Sequence, residues 1–195
     1  MQHTAAPRRR VIQSLTGLAL YFGLGSAAVF TSRKSLAQAT LTPSCGSNTP
    51  AQLEGPFFTP NSPERSNLTS VKDKAAKMQI LGEVLDQFCR PVPGAILDFW
   101  QADERGDYDN RSVRLRGHQF ADIKGSFSLL SLMPGAYTGR TPHLHVKVQR
   151  RNGPVLTTQL YFPNHPGNKR DFLFDQRLVL ESRGSDLFYR FILPS

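Results

Sequence analysis

The sequence predicts an all-β fold, an antiparallel sandwich or barrel entered through an extended N-terminal arm. Two observations carry this. Short apolar or alternating runs recur along the chain, separated by turns drawn from its 15 glycines and 14 prolines. No segment shows the periodicity of an amphipathic helix three turns long; Leu68–Met78 is the best candidate, and it is short and weak. Of the 195 residues, 39% are apolar and 20% charged, values of a globular chain that exclude wholesale disorder.

Residues 1–39 read as an address rather than a fold. They hold no Asp or Glu, and Arg8, Arg9, Arg10, Arg33 and Lys34 flank a mostly apolar run, Val11–Phe30. Ala37-Gln38-Ala39 supplies a small-x-small cleavage site. This is the layout of a secretory signal peptide, and the arginines before Val11 give it a twin-arginine character. An uncleaved membrane anchor is the alternative, since ~20 residues can span a bilayer. Cleavage near Ala39 leaves a single domain, 40–195, placed in the periplasm or outside the cell, with the membrane met only through the signal.

The mature segment carries a net charge of +4 and no basic stripe with interleaved aromatics, so nucleic acid is not an expected partner. Its two cysteines, Cys45 and Cys89, form one disulfide or stay as two thiols; export favours the bond.

Thr40–Pro63, rich in Pro, Ser, Thr and Asn, reads as the arm, with the compact Glu54-Gly55-Pro56-Phe57-Phe58 inside it. Ile80–Leu85 and Ala95–Trp100 read as strands around the turn Arg90–Gly94. Gln101–Arg111 is polar and reads as a loop. Ser126–Leu132 is a strand ending at Met133-Pro134-Gly135, and Val155–Phe162 and Leu173–Leu180 are further strands. Between them His143–Val148 alternates, with Leu144, Val146 and Val148 on one face and His143, His145 and Lys147 on the other.

That strand holds the only close histidine pair of the mature segment. Imidazoles at i and i+2 of a strand project from one face about 6–7 Å apart and can reach one metal ion, although such a pair is more often a solvated face. Tyr137 sits in the Gly/Pro-rich loop leading into the strand, and Tyr108 lies in a second loop. Phenolate is a hard anionic donor suited to ferric iron. Two phenolates and two imidazoles would neutralise two of its three charges and leave positions open. Zinc is less natural, because neither cysteine lies near the histidines.

Four ordered motifs resemble the intradiol ring-cleavage dioxygenases: Glu54 to Phe58 (EGPFF), Val92 to Asp103 (VPGAILDFWQAD), Gly135 to His145 (GAYTGRTPHLH) and Thr157 to Pro163 (TTQLYFP). The resemblance spans about residues 50–165 and leans toward the protocatechuate 3,4-dioxygenase branch. The catechol and hydroxyquinol branches carry a long helical N-terminal region for which this chain has no room. The resemblance implies a β-sandwich of the intradiol type, binding one non-haem Fe(III) per chain through Tyr108, Tyr137, His143 and His145. It implies cleavage of a catechol-type diol between its hydroxyls by O2, giving a cis,cis-muconate-type diacid. Tyr137 matches the axial tyrosinate that also acts as base. Arg140 matches an arginine beside the substrate ring, and Gln159 a pocket glutamine; an ordinary salt bridge and a solvent-facing strand position are the plainer readings of these two. His118, His165, Tyr161 and Tyr189 receive no role. Relatives often carry tyrosine where this chain has Phe57 and Phe58. Homo-oligomers, or pairing with a related subunit, are expected. No G-x-G-x-x-G fingerprint for a nicotinamide or flavin cofactor is present. Two other readings compete: an exported β-sandwich ligand-binding module, and a copper- or zinc-binding accessory protein using His143 and His145.

Overall fold

The computed structural model describes residues 43–137 and 139–194, so the export-signal reading lies outside the described residues. Eight strands follow in order: β1 Lys77–Asp86, β2 Ile96–Trp100, β3 Arg116–Phe120, β4 Ser126–Leu132, β5 His143–Gln149, β6 Val155–Tyr161, β7 Glu181–Arg183 and β8 Asp186–Leu193. They form two four-stranded sheets, ordered β4-β1-β8-β7 and β3-β2-β5-β6. Two packed sheets are the sandwich predicted above, with one qualification. β1 and β8 pair in parallel, Ile80 opposite Leu187 through Asp86 opposite Leu193, while the other ladders are antiparallel.

Alternation along the strands builds the core. Ile80, Val84, Leu129, Tyr189 and Phe191 from one sheet meet Leu97, Phe99, Leu144, Val146 and Leu160 from the other, all fully buried. Phe127 bridges the sheets, its ring 5.9 Å from Phe99 and 5.8 Å from Phe191.

The two strands expected around Arg90–Gly94 are present, in different sheets: the turn folds back on β1 through Val92 N–H to Val84 O (2.9 Å), then β2 crosses to the other sheet. Two local expectations are corrected. Leu173–Leu180 is not a strand. Asp171 Oδ1 accepts from Leu173 N–H at 2.9 Å and Asp175 Oδ1 accepts from Arg177 N–H at 2.9 Å, so aspartate-capped turns and a 3-10 helix, Gln176–Leu178, replace the extended backbone. Leu68–Met78 is not a helix. Asn67 Oδ1 takes the Thr69 N–H and Leu68 N–H pairs with Leu130 O, which lays the segment along β4 before β1 begins at Lys77. β3 and β8 escaped the sequence pattern for opposite reasons. β3 is polar apart from its last residue, and β8 ends in Phe191-Ile192-Leu193, consecutive residues buried on both faces, so it shows no alternation.

The arm behaves as a belt over exposed sheet edges. Gln52 N–H donates to Thr157 O of β6, Arg65 N–H to His118 O of β3 and Leu68 N–H to Leu130 O of β4, each at 2.8 Å. Cys45 and Cys89 are disulfide-bonded with Cα atoms 5.4 Å apart, tying the start of the arm to the end of β1. Replacing both by serine is expected to lower the unfolding free energy by about 3–4 kcal/mol, the loop-closure value for a crosslink of this span, as read by urea denaturation. An unchanged midpoint and slope would show that the hydrogen bonds of the arm suffice to hold it.

Candidate metal centre

In a simple sandwich the face of β5 opposite the core looks into water. Here His143 and His145 occupy that face, yet each is only 2% exposed. The arm and two loops cover it. Strand register then fixes a row of side chains on this outer face: Trp100 and Gln159 flank His145, and Tyr161 lies opposite His143.

The two loops that bring the tyrosines are docked to each other. Asp103 Oδ1 accepts the N–H groups of Arg105 and Asp107, closing a tight turn. Gly135 N–H donates to Asp103 O at 2.7 Å. Gly106 adopts a φ of +90°, and a Cβ there would lie 2.4 Å from Ala136 O, so only glycine allows this approach. The result is an edge-to-face contact of the Tyr108 and Tyr137 rings, centroids 5.4 Å apart. Arg116, 3% exposed, holds the far side of the Tyr108 loop through Nε to Asp109 O (2.9 Å) and Nη2 to Asn110 Oδ1.

At the centre His143 Nε2 lies 3.1 Å from His145 Nε2 and 3.4 Å from the Tyr108 hydroxyl. His143 Nδ1 lies 2.7 Å from Thr141 O, a pure acceptor, so Nδ1 carries the proton and Nε2 presents its lone pair. The His145 ring is stacked on Trp100, centroids 4.8 Å apart and planes 10° from parallel, with Nδ1 buried and unbonded. Tyr137 completes the group with its ring 5.8 Å from that of His143. Donor atoms about 3 Å apart are what one ion with bonds near 2.1 Å requires. Among the described residues no cluster of three or more His, Cys, Asp or Glu side chains could hold a metal. The Tyr108 hydroxyl is the further protein oxygen beside the histidine pair, with the Tyr137 ring next to it, and a set of two nitrogens and two phenol oxygens suits a hard, highly charged cation.

The electrostatics agree with that donor set. Desolvation pulls His143 down from 6.5 to about 4, and desolvation with the neighbouring His143 pulls His145 well below its ordinary value. Both imidazoles are therefore neutral near pH 7, as ligands must be. Burial, then the neighbouring Tyr137, pushes the Tyr108 hydroxyl up, against the opposing effect of Arg140 and Arg116. Ionising Tyr108 thus needs an added positive charge. In metal-free protein the unfolded chain takes up imidazole protons that the folded chain refuses. Stability is expected to be fully present above pH 6.5 and to fall as pH drops toward about 4. Thermal melting of metal-free protein across that window measures it, and a flat profile would contradict the assigned burial.

Arg140 and Gln159, on neighbouring elements, bond to each other. Arg140 Nη2 donates to Gln159 Oε1 at 2.6 Å, and Arg140 Nε spans both Asp171 oxygens at 3.0 and 2.9 Å. Gln159 Nε2 donates to Leu53 O at 2.9 Å. The salt-bridge reading of Arg140 and its place beside the histidine strand hold together. Asp171 and Tyr161 are members of this cluster that the sequence pattern did not mark as functional. The Tyr161 hydroxyl donates to Leu173 O at 2.9 Å, lies 3.2 Å from Gln159 Oε1 and accepts from Arg140 Nη2 at 3.4 Å. Its position two residues beyond Gln159, hence on the same strand face, was the available signal. Asp171 lies 31 residues from Arg140, and no local pattern marks it. His118 stands apart, its Nδ1 2.8 Å from Ser62 O, whereas His165 borders the cluster: its Nδ1 accepts from Gly167 N–H at 3.1 Å and lies 2.9 Å from the Thr141 hydroxyl. Beside Tyr137, Arg140 and Thr141 opens a cavity of about 500 Å³ that also touches His165 and Arg170.

Known proteins resemble this chain in both sequence and fold. The family profile described as Dioxygenase matches residues 53–186. The dioxygenase domain of a dioxygenase–carbohydrate-binding fusion from the cellulolytic bacterium Streptomyces sp. SirexAA-E is 45% identical, covering 76% of this chain and 99% of that one, with a TM-score of 0.72. A catechol 1,2-dioxygenase of Candida albicans is 28% identical over 65% of this chain and 51% of its own length. A protocatechuate 3,4-dioxygenase beta chain of Burkholderia cepacia is 30% identical over 46% of each chain. This chain thus spans about half the length of these curated relatives, and such similar identities do not select one branch over the other. With a family profile matched from the arm to the last strand, this chain belongs to the intradiol ring-cleavage dioxygenase family.

Proposed function

We propose that this protein is an exported non-haem ferric dioxygenase that opens the ring of a catechol-type diol between its hydroxyls with O2, yielding a cis,cis-muconate-type diacid. The observation that carries the reading is the convergence of His143 Nε2, His145 Nε2 and the Tyr108 hydroxyl within 3.1–3.4 Å, with Tyr137 packed alongside. Tyr108, Tyr137, His143 and His145 would hold one Fe(III), which supplies Lewis-acid activation of the diol toward O2.

The remaining work falls to the chain. His143 and His145 are held neutral by burial, so no proton need leave them on metal uptake. The Tyr137 oxygen is the base assigned to one substrate hydroxyl proton. Tyr137 meets Phe57 and Tyr108 by ring edges, so no face-on stack with them pins it. Arg140 contributes a positive charge whose direction Asp171 and Gln159 fix in advance, so stabilising charge that develops on the substrate ring requires no reorientation. Phe57 and Trp100 keep water from the ring faces of Tyr108 and His145.

Catechol and protocatechuate are the substrates named for the relatives above, and we extend the catechol class to this chain. The name "beta chain" of the Burkholderia relative supports assembly with a related partner subunit, with a homo-oligomer as the other form we propose. Export is supported by the composition of residues 1–39 and by the disulfide, which belongs to an oxidising compartment.

A visible spectrum with iron quantified, before and after anaerobic catechol, tests the reading. One iron per chain with a broad band that moves to longer wavelength on catechol addition is expected. A protein that stays colourless after iron reconstitution overturns it.

A further inference from the structure

The Glu54–Phe58 segment, to which the proposed chemistry gives only the exclusion of water by Phe57, lies against several side chains of the centre. Phe57 lies face to face on Tyr108, centroids 4.3 Å apart and planes 12° from parallel, and meets Tyr137 edge-on at 5.8 Å. Phe58 meets Trp100 at 4.9 Å, and Trp100 in turn carries His145. Gly55 takes a φ of +74°, the left-handed region that favours glycine, and runs beside His145, where a Cβ would be in ordinary contact with Cε1 at 3.5 Å. The segment is held at both ends: Leu53 O accepts from Gln159, Glu54 pairs with Lys147, and Lys147 Nζ lies 3.5 Å above the Phe58 ring. Phe57 against Tyr108 and Tyr137, and Gly55 and Phe58 on the His145 side, therefore place the segment beside three of the four candidate ligands.

From this geometry we infer that Phe57 is the positioning residue for the Tyr108 phenol, which makes the arm a wall of the metal centre rather than a strap around the sandwich. The inference rests on the ferric reading above. Phenylalanine suits this position because its ring clamps Tyr108 face to face and supports Tyr137 edge-on. Stacked rings hold each other in one orientation through their quadrupoles, a constraint that an aliphatic side chain of similar volume does not supply.

The experiment compares full-chain, iron-reconstituted wild type with Phe57→Leu, Phe57→Ala and Phe57→Tyr. Resonance Raman excited in the tyrosinate-to-iron band reads phenolate geometry, and transfer of iron to a chelator reads retention. Phe57→Leu and Phe57→Ala are expected to shift the tyrosinate lines and to release iron about 2- to 10-fold faster. Phe57→Tyr keeps the stack and is expected to match wild type in both readouts. Should Phe57→Ala fail to fold, Phe57→Leu carries the comparison. Wild-type lines and release rates in Phe57→Leu overturn the inference, as does a Phe57→Tyr protein that departs from wild type as far as Phe57→Leu. A wild type that binds no coloured iron overturns the ferric reading itself, and the inference with it.

Discussion

Tyr108→Phe is expected to fold with near-wild-type stability and to lose iron. The substitution keeps the ring, and with it the stack on Phe57 and the contact with Tyr137. It removes only the hydroxyl 3.4 Å from His143 Nε2. The folded chain disfavours the Tyr108 phenolate through burial, so without the cation this oxygen contributes little to stability. In the proposed ferric site it would be one of two anionic donors. Removing a supporting partner of a metal ligand already costs 10- to 100-fold in affinity, so loss of a direct donor is expected to cost more than about 100-fold. His145→Ala is expected to lose iron as completely, and also to destabilise the metal-free protein, because it empties a fully enclosed site beneath Trp100. Iron stoichiometry, visible absorbance and melting of metal-free protein separate the two variants. A Tyr108→Phe protein with one iron per chain, an unchanged band and undiminished turnover would remove Tyr108 from the donor set.

The second large effect is expected at Asp171. Its side chain is fully enclosed and pairs with an Arg140 side chain that is 9% exposed, and its Oδ2 also accepts the Thr141 N–H at 2.9 Å. Breaking a buried ion pair from one side strands the other charge, so Asp171→Ala is expected to cost about 3–5 kcal/mol of unfolding free energy. Arg140→Ala strands Asp171 instead and falls in the same range. The double variant Arg140→Met with Asp171→Asn is expected to recover most of that stability, since neither charge is left unpaired. It is not expected to recover turnover, which needs a positive charge held toward the substrate ring. Denaturant titration of metal-free protein and catechol-dependent O2 uptake of the loaded protein provide the two readouts. A double variant that turns over like wild type would make the pair purely structural.

Much of this was legible in the chain. Two histidines at i and i+2 of an alternating strand must share a face, because the pleat leaves no other choice. The same rule places Gln159 and Tyr161 together. Strands with local hydrophobic contrast, β1, β2, β4, β5 and β6, were readable, whereas polar β3 and doubly covered β8 were not. Leu173–Leu180 misled because its apolar residues mimic a strand, while Asp171 and Asp175 redirect its backbone with side-chain hydrogen bonds.

The sequence by itself determined which atoms are offered: two imidazoles on one strand face, two loop phenols, an arginine three residues before the first histidine, and two cysteines for one bond. Tertiary structure alone decided that this strand face is dry. The histidine face of β5 would be solvated in a bare sandwich, and it is enclosed because the arm and the loops bearing Tyr108 and Tyr137 close over it. The docking of Gly106 on Ala136, the stack of Phe57 on Tyr108 and the reach of Asp171 to Arg140 join residues 30, 51 and 31 positions apart. Local propensity acts over a few residues, so contacts at such separations exist only once both sheets have packed and fixed where each loop begins and ends.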